Sequence, residues 1–273
     1  MSEIFRKRTA ENGAELLYIS VLDDSFPVKT FFTTRNGGKS TGAYASLNMG
    51  TSSGDDEKIV DQNRDMVFES VGCSVSAVVY PTQVHGSEIA CIKKGNIESA
   101  SGTLNFPDTD ASVTDVPGVL LTSLHADCIP VWLYDRKRNV IGLAHAGWRG
   151  TRADVAAKTI HRMGEEFGCL PEDIIAVIGP GISRCCFEVG SEVYEEFKEM
   201  LPEYVSEFST DDKNGKYHLD LKKINKILIE RAGVSDIYIS GLCTCCSSDE
   251  LFYSYRRDGG ITGRMCAGIC IVN

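Results

Sequence analysis

The apolar positions of this chain fall into short runs separated by polar, glycine-rich stretches, and no run repeats. Residues 28–34 (VKTFFTT) read as a strand. The next twenty or so, 35–54 (RNGGKSTGAYASLNMGTSSG), are too rich in Gly, Ser and Asn to pack regularly, which predicts a long loop of the functional kind. Residues 55–70 predict a helix, opened by Asp55 and Asp56, with Ile59, Val60, Val67 and Val71 at helical spacing. The central third carries 77–80 (AVVY), 118–122 (GVLLT), 129–134 (IPVWLY) and 140–145 (VIGLAH), which predict strands, several of them covered on both faces. A helix is predicted over 152–167, a strand over 173–178, helices near 190–201 and 219–231, and closing strands near 236–240 and 264–272. Strands dominate the first half and alternate with helices in the second. That order predicts an α+β fold, layered mixed β-sheets flanked by helices, rather than a strictly alternating parallel one. With no internal repeat and no Pro/Ser-rich linker, residues 1–273 are expected to form a single domain.

Composition narrows the function classes. The 38 acidic residues outnumber the 28 basic ones and leave a formal charge of −10, so a broad basic face for nucleic acid is not expected. No apolar stretch has the roughly 18 residues of a membrane span, and the charged N-terminus lacks the apolar core of a secretory signal. The 11 cysteines are an odd number with two adjacent pairs, a poor disulfide framework, and predict free thiols in a reducing compartment. Cytoplasm is the expected location, and a monomer or homodimer the expected state.

Three segments place a metal-capable side chain beside a glycine or at a strand end: Gln83-Val84-His85-Gly86, His125-Ala126-Asp127-Cys128, and His145-Ala146-Gly147-Trp148-Arg149-Gly150. Three protein ligands drawn from His, Cys and carboxylate, with an open fourth position, are what a catalytic zinc site needs, and His85, Cys128 and His145 would supply them. The bland reading makes both histidines hydrogen-bonded core or loop residues and Cys128 a small buried hydrophobe. On an extended strand Asp127 and His125 would face away from Cys128, leaving Asp127 to support the metal or touch substrate and His125 outside the ligand set. The stretch 145–151 leads out of a strand into a helix expected to start near Arg152, an anion-attracting arrangement that Arg149 and Arg152 strengthen. Arg35, Arg256, Arg257 and Arg264 also lie near Gly-rich turns, where guanidinium groups suit a phosphate or carboxylate. Cys243-Thr244-Cys245-Cys246 holds a single C-x-x-C, a weak zinc-ribbon signal, so packed thiols are expected there and a tight loop at Cys185-Cys186.

In this order, TTRNGG with SLNMG, QVHG, ADCIP, HAGWRG, GPGISRCCFEVG, and SYRRDGG with TGR closely resemble the YfiH-type family, also called the laccase-domain or multicopper polyphenol oxidase family, over about residues 28–270. The resemblance implies one zinc ion per chain, held by the histidine of QVHG, the cysteine of ADCIP and the first histidine of HAGWRG, here His85, Cys128 and His145. It implies purine nucleoside phosphorolysis with inorganic phosphate as co-substrate, on adenosine, inosine, guanosine and methylthioadenosine, together with adenosine deamination. Copper oxidation fits poorly, because this chain has 5 histidines and no His-x-His pair. Arg149 is expected at the reacting centre with the three ligands, and Arg35, Asn48, Asp127 and Arg256 are expected to meet substrate. His125 departs from the family, which more often has a small residue there, and bears on substrate preference. Two competing readings of the same residues are a Cys-His hydrolase acting on an amide or ester, such as a cell-wall precursor, and a non-catalytic metal- or nucleotide-binding module.

Overall fold

Strand Ile129–Asp135 shows how the layers are built, because its apolar run divides cleanly between two cores. Val131 and Leu133 point to one side, where the helices Val155–Phe167 and Leu221–Arg231 cover the sheet. Trp132 and Tyr134 point to the other, into the layer between two stacked sheets. Trp132 is fully buried, its indole N–H donates to the Gly268 carbonyl at 3.0 Å, and its burial contributes on the order of 3 kcal/mol. The computed structural model describes residues 4–98, 102–211, 214–247 and 251–272.

The sheet containing Trp132 has six strands in the order Asp236–Ile239, Ile174–Ile178, Ile129–Asp135, Val140–Ala146, Ala111–Thr114, Ile89–Ile92, parallel at both edges and antiparallel in the middle. The sheet stacked on it has seven: Phe5–Thr9, Glu15–Ile19, Val28–Thr33, Met265–Ile271, Val119–His125, Ala77–Pro81 and Thr103–Phe106. Its outer face is covered by helix Glu57–Glu69, whose Val67 packs with Leu16, Phe31 and Leu120. Asp56 caps that helix by accepting from the N–H groups of Lys58 and Ile59. A third, three-stranded antiparallel sheet joins Glu188–Gly190, Lys216–Leu219 and Ser209–Asp211. The architecture is therefore helix, mixed sheet, mixed sheet, helix, as the run pattern predicts. Among the described residues no helix is long and apolar enough to cross a membrane.

One element differs in a way that matters for the site. The helix expected from Arg152 begins earlier, as a five-residue turn of helix Trp148–Arg152 capped by Gly147, and Asp154 in the left-handed region separates it from Val155–Phe167. The chain thus bends at Ala153-Asp154, and the long helix starts only at Val155. Of the two arginines expected to strengthen an anion site here, Arg149 lines the cleft and Arg152 pairs with Glu196 at 2.9 Å.

Candidate metal centre

His85 and Cys128 come from two different turns and His145 from the end of strand Val140–Ala146, and their ligand atoms lie within 4.8 Å of one another. The hairpin register explains part of this. Strands Ile129–Asp135 and Val140–Ala146 pair antiparallel with His145 opposite Pro130, which brings the imidazole beside the residue just before the first strand, Cys128. The positive φ of Asp127 (88°) turns the chain between Val119–His125 and Ile129–Asp135, so the extended segment that the sequence suggests is a corner. His85 arrives on the tight turn after Ala77–Pro81, itself at φ 61°. Gly147 closes the assembly: a Cβ there would stand 2.9 Å from Cys128 Sγ and 3.0 Å from His85 Cδ2.

The residue that organises the centre is Asp110, which sequence reasoning missed. Its fully buried carboxylate accepts from the amides of Val84 (3.1 Å), His85 (3.0 Å) and Gly86 (2.7 Å), so it shapes the turn that carries His85. The same carboxylate meets His145 Nδ1 at 2.9 Å, which leaves Nε2 to face Cys128 and His85. Burial raises the Asp110 pKa, but His145 and the Gly86 and Val84 amides outweigh it and hold the group below the usual carboxylate value. Burial likewise raises the Cys128 thiol, yet His145 and His85 pull it down to about 6. His145 is opposed by burial and still rises to about 9, through Cys128 and Asp110. These opposite shifts favour a thiolate-imidazolium pair of Cys128 and His145 when no metal is bound.

The other expected site residues take varied places. The trio opens on a cleft of about 1170 Å³ that is also lined by Arg64, Tyr80, Asp127, Trp148, Arg149, Phe187, Tyr255, Arg256 and Arg264. Arg149 stacks 4.3 Å from the Trp148 ring, exposed at the cleft. Arg256 also lines it, but donates to the carbonyls of Cys186 and Glu188, both at 2.9 Å, and so ties the wall together. Asp127 is 8% exposed and spends its carboxylate on Thr244 Oγ1 (2.7 Å), Ser254 Oγ (3.0 Å) and the Arg256 amide (2.7 Å). Those bonds anchor loops.

Arg35 and Asn48, expected as substrate contacts, do not line this cleft. Arg35 Nε donates to the Ala45 carbonyl and its guanidinium lies over Tyr253, while Asn48 is fully buried with its amide spent on Gly50, Ser53, Asp55 and the Arg264 N–H. Both shape the long loop whose Thr51 and Ser52 reach the cleft. His125 is buried, with Nε2 2.7 Å from Ser123 Oγ and Nδ1 3.1 Å from the Cys128 carbonyl. Burial and His145 push its pKa well down, so it stays neutral and braces the Cys128 corner.

Residues 29–272 match the model of the multi-copper polyphenol oxidoreductase laccase family. The chain belongs to this family. Its relatives include a protein named purine nucleoside phosphorylase from Deinococcus radiodurans, 42% identical over 87% of both chains. Another, purine nucleoside phosphorylase YlmD from Geobacillus stearothermophilus, is 39% identical over 87% of this chain and 88% of its own. The crystal structure of Bacillus licheniformis hypothetical protein YfiH superposes with a TM-score of 0.88 at 34% identity, covering 97% of this chain and 98% of that one. Family membership does not bring the chain more histidines than its 5, of which this centre uses two.

Proposed function

We propose that this protein is a zinc-dependent purine nucleoside phosphorylase acting on adenosine, inosine, guanosine and methylthioadenosine with inorganic phosphate, with adenosine deamination in the same pocket. The observation that carries the reading is the convergence of two imidazoles and one cysteine sulfur at a cleft walled by aromatic rings and arginines. Relatives of 39% and 42% identity bearing the phosphorylase name support it. The donor set fits zinc: nitrogen and sulfur ligands, an Asp110-held tautomer, and a thiol drawn down to about 6. When bound by His85, Cys128 and His145, zinc supplies Lewis-acid polarisation of a substrate oxygen or of water.

The protein's own groups account for substrate recognition. Tyr255, 58% exposed at the cleft, offers a face for a purine. Arg64, Arg149 and Arg264 put positive charge into the cleft of a net-acidic chain, which suits phosphate and the charge that develops as the glycosidic bond to C1′ breaks. Holding phosphate and nucleoside side by side supplies the remaining advantage, orientation. Hypoxanthine release from inosine is expected to require added phosphate and to yield ribose 1-phosphate, as product chromatography would show. Release at the same rate without phosphate, with free ribose as product, would overturn the reading.

The thiolate-imidazolium pair also supports a second reading, a Cys128 nucleophile with His145 as its base in an amide or ester hydrolase. Proton linkage separates the two. Between pH 6 and 9 Cys128 is already ionised and His145 holds its proton, so zinc uptake at this centre must expel about one proton. Zinc affinity is therefore expected to rise roughly tenfold per pH unit across that window, and to fall more steeply below it as Cys128 is protonated. Zinc titrations in buffers of graded pH check this. An affinity that ignores pH would count against the metal reading.

A further inference from the structure

Away from the His85 centre, the thiols expected to be incidental are gathered. The sulfurs of Cys185, Cys186, Cys243 and Cys246 all lie within 4.8 Å of one another, although Cys185 and Cys246 are 61 positions apart. The topology brings them together. Strands Ile174–Ile178 and Asp236–Ile239 run parallel, so the loops that follow them leave the same end of the sheet, joined by a bridge between Gly181 and Cys243. The loop after the second strand turns so that Ser247 N–H donates to the Cys243 carbonyl at 2.9 Å, which puts both ends of C-x-x-C on one side. The loop after the first strand turns too, with Phe187 N–H donating to the Ser183 carbonyl, and presents Cys185 and Cys186.

We propose that these four cysteines form a second metal site, a tetrathiolate cage for a thiophilic divalent cation of the zinc class. A tetrahedron with metal-sulfur bonds of about 2.3 Å has sulfurs about 3.8 Å apart. The cluster is compatible with that value: Cys185 and Cys246 are 3.3 Å apart and no pair is beyond 4.8 Å. The surroundings suit the negative charge of such a cage. Ser183 N–H donates to Cys243 Sγ at 3.3 Å, the amide-to-sulfur bond that stabilises a metal-bound thiolate. Lys222 is 4% exposed, and its ammonium donates to Ser183 Oγ (3.0 Å), the Ser240 carbonyl (3.1 Å) and the Leu242 carbonyl (2.6 Å). Cys243, Asp220, Cys185 and Cys246 are the groups whose negative charge would favour that ammonium. A buried ammonium set against these three thiols is better placed once they are ionised than while they are neutral.

The cage would be structural. It has four ligands and no open position, and it clips together the two loops that form one wall of the cleft. Phe187 ends one loop, where strand Glu188–Gly190 begins, and Tyr255 and Arg256 follow the other. Thr244, inside the C-x-x-C, donates to the Asp127 carboxylate, and Asp127 precedes Cys128. Metal uptake exchanges the thiol protons for the cation, with the protons passing to solvent and no oxidant required. The inference is independent of the phosphorolysis reading, since it concerns other residues.

Elemental analysis of protein purified under reducing conditions with zinc is expected to give about two zinc ions per chain. A Cys185→Ser, Cys246→Ser double variant should retain about one, the one lost in His85→Ala. Alkylation mapping of the unaltered protein tests the same point without relying on the variant's folding. Cys185 and Cys246, both exposed, should resist iodoacetamide in the zinc-loaded protein and react after chelation. Cobalt loading should add the intense visible bands of tetrahedral tetrathiolate coordination. One zinc per chain with prompt alkylation of Cys185 and Cys246, or a Cys185-Cys246 disulfide under reducing conditions, would overturn the proposal.

Discussion

Cys128→Ala is expected to lower phosphate-dependent nucleoside cleavage on the order of a thousandfold, the loss of several kcal/mol of charge stabilisation at the reacting centre. The substitution removes the sulfur that His145 and His85 face and leaves the imidazoles as an incomplete ligand pair. It should do so without unfolding the protein. Cys128 is only half-buried, its carbonyl bond to His125 is made by backbone, and alanine fits the corner set by Asp127. Steady-state kinetics together with zinc content are the measurement. Under the phosphorylase reading activity and first-site zinc vanish together. Under the thiol-nucleophile reading, the unaltered protein freed of metal stays active until Cys128 is alkylated.

Asp110→Asn is expected to be the most damaging change at a residue that never meets substrate. Its carboxylate serves four donors at once: three consecutive amides, Val84 to Gly86, and His145 Nδ1. An amide side chain has one oxygen to offer and turns its NH2 toward the donors that remain, leaving buried N–H groups without acceptors at about 1–3 kcal/mol. The His85 turn loosens and His145 loses the partner that selects its tautomer, so zinc affinity at this centre should fall roughly 10–100-fold. Competition with a chromophoric chelator reads the affinity, and thermal unfolding reads the stability. Asp110 is depressed below the ordinary carboxylate value, so its contribution is complete above that value and lost as pH falls through its folded pKa. In the variant that acid-dependent loss should disappear. Unchanged zinc affinity in Asp110→Asn would mean that the carboxylate does not organise the centre.

How much of this was legible in the sequence depends on how local each signal is. Helix Glu57–Glu69 was readable because its cap and its periodicity lie within a few residues of each other. The two-sided strands were readable because burial on both faces removes alternation, as Ile129–Asp135 does. Strands Phe5–Thr9 and Ala111–Thr114 were not, the first because charged residues fill its exposed positions and the second because it is four residues long. His85 and His145 were flagged by neighbouring glycines and Cys128 by its place at a strand end, and of those glycines Gly147 is the one demanded by the ligands themselves. Asp110 gave no signal among 38 acidic residues, because its task is defined by amides 24 to 26 positions away. The four-cysteine cluster escaped for the same reason: its two halves are joined by parallel strand pairing, not by spacing. Arginines near glycine were a partial guide: Arg149, Arg256 and Arg264 line the cleft and Arg35 builds a loop, while Arg64, which has no such neighbour, also reaches it.

The central claim is that His85, Cys128 and His145 hold a metal on which phosphorolysis depends. Its most direct test is hypoxanthine and ribose 1-phosphate formation from inosine and phosphate, followed before chelation, after chelation and after zinc is restored, with His145→Ala treated in parallel. The account predicts loss on chelation, recovery with zinc, and no activity in His145→Ala at any stage. Full activity in chelated protein shown by elemental analysis to be free of metal would contradict it.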